Sequence, residues 1–190
     1  YTSLLHYGPY EMTWYAGQAT IVPKDPAYKE IMGNYYPSFY DVSRVNRLYK
    51  CDAACASSTT VCQNNGEKNV NDCRKCRCPS GWGGVDCSGN PDGSIVLSAT
   101  ATQQSYQTTL GNMDDPKAID YMFKHIVITA PAGKRVQLTI PYMWTAYDQL
   151  CKYGGVEVFT KKDTRMGPPR ACAMNLILPS YTSETNRMYL

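Results

Sequence analysis

The sequence contains no run of about eighteen apolar residues, so it offers no candidate for a membrane-spanning helix. Histidine is scarce: His6 and His125 are the two in the chain, and a metal site built on three imidazoles cannot come from these residues alone. Charge of one sign is lacking as well. Nineteen lysines and arginines (19) stand against 16 aspartates and glutamates, a formal net charge of +3. The basic pairs Lys134-Arg135 and Lys161-Lys162 read as solvated turn or strand-edge residues, and a nucleic-acid partner is not expected. No Asn-x-Ser/Thr acceptor occurs, so N-glycosylation of this stretch is not expected. The chain opens at Tyr1 without an initiator methionine, a basic n-region or an apolar h-region.

Cysteine, by contrast, is concentrated. Seven of the 9 cysteines fall between Cys51 and Cys87, and the last six run Cys55, Cys62, Cys73, Cys76, Cys78, Cys87. A single residue separates Cys76 from Cys78, and a bond between them would close a small strained ring, so they seek different partners. The stretch Cys78-Pro-Ser-Gly-Trp-Gly-Gly-Val-Asp-Cys87 has the glycine needed to turn the chain back on itself. A segment this short cannot bury enough apolar surface to fold alone, and three disulfide staples in place of a core are the natural reading. That places the protein in an oxidising compartment, secreted and extracellular. The pairing itself stays open, because spacing alone cannot choose among the possible connectivities. A zinc site on Cys73-Arg-Lys-Cys76 is the rival reading, weakened by the odd-spaced thiols around it.

Composition divides the chain into three. Residues 1 to 50 are tyrosine-rich and hold no cysteine; residues 94 to 190 carry threonine, isoleucine and valine with Cys151 and Cys172. In the first part, Ala19-Thr20-Ile21-Val22 reads as a short strand stopped by Pro23. Asp25-Pro26 opens a helix over 27–32 that ends at Gly33. A second helix is expected from Ser38 to Tyr49, with Ser38 as its cap, Asp41 complementing its positive end, and Phe39, Val42, Val45 and Leu48 along one packed face. In the last part, Ile95-Val96-Leu97, His125–Thr129, Arg135–Ile140 and Gly155–Phe159 are short β-branched runs separated by proline and glycine turns, the pattern of a β-sandwich.

The one-residue gap, the final loop and the Gly81-Trp82-Gly83-Gly84 turn resemble the EGF-like module. That resemblance implies the pairs Cys55–Cys73, Cys62–Cys76 and Cys78–Cys87, with Cys151 left to pair with Cys172 and Cys51 unpaired. The ordered run Ser3-Leu4-Leu5-His6-Tyr7-Gly8, Thr20-Ile21-Val22-Pro23-Lys24-Asp25, Gly33, Pro37-Ser38-Phe39-Tyr40-Asp41-Val42 and Val45-Asn46-Arg47-Leu48-Tyr49-Lys50-Cys51 resembles the C-terminal part of the catalytic domain of the astacin family of zinc metalloendopeptidases. Ile128–Val136 and Cys151–Val158 resemble the CUB domain, and the order astacin, EGF-like, CUB is that of nematode astacins. The implied fold class is mainly β and multidomain: the C-terminal part of an α+β metzincin domain (residues 1–51), a disulfide-rich EGF-like module (52–88) and a β-sandwich CUB-like domain (89–190) that stops before it closes.

The astacin resemblance implies that Tyr7 is a zinc ligand and catalytic residue. A phenol can lie against the metal at rest and then donate a hydrogen bond to the oxyanion formed on the attacked carbonyl. Leu5 stands where the family has a methionine beneath the metal, and a leucine of similar volume is tolerated. His6 precedes the ligand position and is expected to be partly buried and hydrogen-bonded. The zinc-binding helix, His-Glu-x-x-His-x-x-Gly-x-x-His, does not occur in this sequence. The expectation is therefore a fragment, silent on its own, of a peptidase whose upstream residues hold zinc. Its partners would be protein substrates and a protein or glycan ligand of the CUB-like domain. The alternative is a non-catalytic extracellular adhesion protein built on a decayed peptidase domain.

Overall fold

Asp41 decides how the first fifty residues are arranged. Ser38 and Asp41 form a reciprocal capping box: the Ser38 hydroxyl accepts from the Asp41 amide at 3.2 Å, and Asp41 Oδ2 accepts from the Ser38 amide at 2.8 Å. The pair starts helix α1, Phe39–Leu48. The same carboxylate receives the Ser3 hydroxyl on Oδ1 at 2.5 Å and the Leu4 amide on Oδ2 at 3.0 Å. One side chain thus satisfies a helix terminus and fastens the Ser3–His6 turn to it. Burial pushes the Asp41 carboxyl up, but the hydrogen bonds from Ser3, Leu4 and Ser38 outweigh it and hold the group below its ordinary value.

The computed structural model describes residues 2–15, 17–111, 122–145, 151, 154–172 and 180–190. Ahead of α1, Pro26–Ile31 forms a 3-10 turn, capped by the Asp25 carboxylate on the Ala27 amide at 3.0 Å. Gly33 follows with φ +71°, a left-handed position that glycine takes at least cost. Two expectations are corrected. Ala19–Val22 is no strand, because the Thr20 and Ile21 amides both donate to the Pro9 carbonyl, at 2.8 and 3.3 Å, and have no ladder to join. Nor does the apolar stripe of α1 become its packed face: Val45 and Leu48 are exposed, and the fully buried residue is Ser43.

After a 3-10 turn at Cys51–Cys55 the chain enters the hairpin of β1, Glu67–Asn69, and β2, Asp72–Arg77. Three disulfides surround it, Cys55–Cys73, Cys62–Cys76 and Cys78–Cys87. Helix α1 docks on the hairpin through polar groups. Arg77 donates to the Phe39 carbonyl at 3.2 Å, the Ser43 hydroxyl at 3.0 Å and Glu67 at 2.8 Å, and its guanidinium lies 3.7 Å from the Phe39 ring centroid. Glu67 also accepts from Ser43 at 2.6 Å and from Arg47 at 3.1 Å. Burial raises the Glu67 carboxyl, and these partners more than reverse the effect.

The remaining strands are short and make the chain mainly β. β3, Ile95–Ser98, runs parallel to β4, Ile126–Thr129, which pairs antiparallel with β9, Arg187–Tyr189. β5, Gln137–Leu138, pairs with β8, Tyr181–Thr182, and β6, Val156–Glu157, with β7, Arg170–Ala171. Two small buried clusters hold them, Val127, Phe159 and Tyr189 in one and Val136, Val158 and Met188 in the other. A fourth disulfide joins Cys151 to Cys172. Lys152 and Tyr153, part of the second CUB-like stretch, lie outside the described residues.

Two stability measurements check this account. Asp41→Asn should destabilise the chain by about 1–2 kcal/mol at neutral pH, the scale of a lost cap with a charged hydrogen bond. Because the folded carboxyl titrates below its unfolded counterpart, that difference is complete above about pH 4 and disappears as the pH falls through the lowered folded value. Glu67→Ala should cost about 1–3 kcal/mol by stranding Arg77 and Ser43, with a smaller cost in concentrated salt. Thermal unfolding followed by far-ultraviolet circular dichroism reads both; equal stability of variant and parent at neutral pH would remove the carboxylate concerned from the account.

Candidate functional site around Tyr7

The Asp41 carboxylate sets the position of Tyr7 through the backbone. With Ser3 and Leu4 bound to it, the Leu5 amide folds back on the Ser3 hydroxyl at 3.2 Å, and the His6 amide donates to the Ser3 carbonyl at 3.1 Å. His6 then curls onto its own chain, its Nδ1 2.7 Å from the Tyr7 carbonyl. A carbonyl can only accept, so this contact requires the proton on Nδ1. His6 is half-buried and Tyr7 is 61% exposed.

Behind Tyr7 the chain is tightly packed. Gly8 and Pro9 are buried, and Gly33 comes up against them from the end of the 3-10 turn. A Cβ placed on Gly33 would lie 2.8 Å from the Gly8 Cα and 2.9 Å from the Gly8 nitrogen. Glycine is thus required twice at this position, once by its φ and once by the close approach of two backbones. The glycine after the helix is readable from the sequence; its contact with Gly8 is not, since it depends on the tertiary fold.

Several large apolar side chains of this segment are exposed. Leu5 is 90% exposed and Trp14 97%, and Met12 and Tyr15 are exposed beside them in sequence. No group of three or more His, Cys, Asp or Glu that could hold a metal ion occurs among the described residues. The residues present therefore do not fit a zinc site by themselves: Tyr7 supplies an exposed phenol, and the His6 Nδ1 is engaged with the neighbouring carbonyl. Cys51 begins the 3-10 turn after α1, half-buried and without a disulfide.

What the sequence reading missed is how the Tyr7 loop is supported. Asp41 was legible as a helix-start residue, yet its contacts with Ser3 and Leu4 bridge 38 and 37 positions. Glu67 and Arg77, which tie α1 to the disulfide-rich hairpin, carry no local motif at all.

Comparison with known proteins bears on the same segment. Residues 1–50 match the family model described as Astacin (Peptidase family M12A). Among curated proteins, the chain is 32% identical over 175 residues to zinc metalloproteinase nas-31 of Caenorhabditis elegans, covering 91% of this chain and 28% of that protein. It is 34% identical over 163 residues to zinc metalloproteinase nas-17, covering 84% and 37%, and 29% identical over 185 residues to nas-25, covering 92% and 46%. The chain thus spans less than half the length of these relatives. No solved structure matches. Residues 1–50, which carry Tyr7, its Asp41 support and Gly33, thus match the astacin family, and the chain as a whole is similar to nematode zinc metalloproteinases.

Proposed function

We propose that this chain is part of a secreted, zinc-dependent metalloendopeptidase that cleaves extracellular proteins, with Tyr7 as its catalytic contribution. The observation that carries the reading is the exposed Tyr7 phenol on a loop whose backbone is fixed from two sides, by Asp41 and by Gly33, within the astacin-family segment. With two histidines in 190 residues, the zinc ligands and the glutamate that activates water lie outside this chain. What these residues themselves supply is a hydrogen-bond donor: an exposed phenol that can meet the oxygen on which charge develops during attack on a peptide carbonyl. The four disulfides and the lack of a long apolar helix among the described residues support an extracellular setting. In this reading residues 52–88 are an EGF-like module and residues 89–190 a CUB-like sandwich that recognises a protein or glycan partner.

In the complete gene product, Tyr7→Phe should lower kcat about 100-fold while leaving KM little changed, the signature of a donor used in the transition state alone. An unchanged kcat would remove Tyr7 from the mechanism, and a parent protein without peptidase activity would favour the adhesion reading. Gly33→Ala should lower kcat through displacement of Gly8 and should also lower the unfolding midpoint, because the strain falls on backbone that has no free direction to move. Hydrolysis of a protein substrate and thermal unfolding of the same preparation separate the two variants: Tyr7→Phe moves the first alone, Gly33→Ala moves both.

A further inference from the structure

A cleft of about 300 Å³ opens where the disulfide-rich hairpin meets the C-terminal strands. Its walls come from the turn at Asn64 and Asn65, the Trp82 loop, the segment after β6 and the turn before β9. Among the described residues, the cations Lys161, Lys162 and Arg187 line it and no carboxylate does. Lys161 is neutralised from outside the lining by Glu184 at 2.9 Å, which also accepts from the Lys162 amide at 2.9 Å. The Lys162 ammonium has no carboxylate partner among the described residues. Arg187 is held over Trp82, 4.3 Å from the ring centroid, by Asn90 and the Gly81 carbonyl. Cation and indole form one continuous wall.

The neutral groups of the lining are mostly acceptors. Asn64 donates its amide nitrogen to the Cys87 carbonyl at 2.9 Å and Asn186 donates its own to the Ala130 carbonyl at 3.1 Å, which leaves each Oδ1 to receive a proton from a ligand. A plain anion would use the cations and leave the amide oxygens idle; a neutral ligand would leave Lys162 unanswered. A molecule with both negative charge and several hydroxyl donors uses all of them, and the volume suits one or two sugar rings.

We propose that this cleft binds an acidic saccharide, sulfated or uronic, between residues 52–88 and 89–190. The proposal rests on the recognition role inferred above for residues 89–190 and gives it a site and a ligand class. Lys162 and Arg187 meet the negative group, Asn64 and Asn186 meet the hydroxyls, and Trp82 covers the apolar edge of the ring.

Isothermal titration of the full chain with a sulfated heparin hexasaccharide, at about physiological salt, tests it. Lys162→Glu should weaken Kd by about tenfold or more. Lys134→Glu, an exposed turn residue outside the lining, should leave Kd unchanged. Binding that survives Lys162→Glu, or falls equally with Lys134→Glu, overturns the cleft and leaves recognition to another surface. Binding of a neutral hexasaccharide or an acidic peptide in place of the heparin probe overturns the ligand class, with the recognition role intact. No heat with any of the three probes removes both.

Discussion

The disulfides between Cys55 and Cys87 are the constraint on which the rest of the chain leans. From residue 52 to 88 the buried residues are Cys55, Cys76, Cys87, Pro79 and Gly81. No branched aliphatic or aromatic side chain is buried there, so this stretch has no apolar core of its own. Covalent bonds do the ordering that burial does elsewhere, by restricting the unfolded chain. The hairpin of β1 and β2 gains a fixed shape without a large interior, and both flanking segments use it as a platform: α1 through Arg77 and Glu67, the C-terminal sheet through Gly81 and Trp82.

A preformed platform makes polar docking effective. An ion pair between two mobile surface side chains contributes little, because ordering them cancels most of the attraction. Arg77 and Glu67 sit on paired strands, directly across the β1–β2 register from one another, and are already ordered by it. Their side chains are 24% and 26% exposed, and each has further partners on α1. That arrangement accounts for a helix whose most buried residue is a serine: Ser43 is hidden because it completes the Glu67–Arg77 network, not because an apolar face was turned inward.

The same point marks the limit of what the sequence discloses. The α1 boundaries were legible, since Ser38 and Asp41 are local signals and the helix runs from Phe39 to Leu48. Its orientation was not. The spacing of Val42, Val45 and Leu48 points to one face, while the contacts that fix it come from residues 67 and 77, beyond the reach of periodicity. The mainly β character of the last hundred residues was legible from runs such as Ile126–Thr129, but not the pairings. The parallel partner of β4 lies about thirty residues back, and β9 is spelled Arg187-Met188-Tyr189, with no β-branched residue to announce it. Ala19–Val22 had β-branched residues and no neighbour, and side-chain preference without a ladder does not make a strand. For Tyr7 the ordered family pattern was the signal; one tyrosine in 16 has none of its own.

The two junctions of the disulfide-rich hairpin differ in kind, and the difference has a structural consequence. On the α1 side the contact is made by charged groups, with Arg47 paired to Glu67 and Arg77 donating to the Phe39 carbonyl and the Ser43 hydroxyl. On the other side it is neutral and packed. The Tyr189 ring lies so close to Gly81 that a Cβ there would come within 2.9 Å of it, and it also packs on Phe159 with centroids 5.1 Å apart. Burial pushes the Tyr189 phenol up to about 12, so at any physiological pH it keeps its proton and can donate to His125 Nδ1, 2.5 Å away. The cation at this junction, Arg187, is bonded to a neutral carbonyl and a neutral amide. Added salt weakens attraction between partly exposed charges and strengthens apolar contact. The Tyr7-bearing segment is therefore joined to the hairpin by the adjustable contact, and the C-terminal sheet by the one that ionic conditions leave in place.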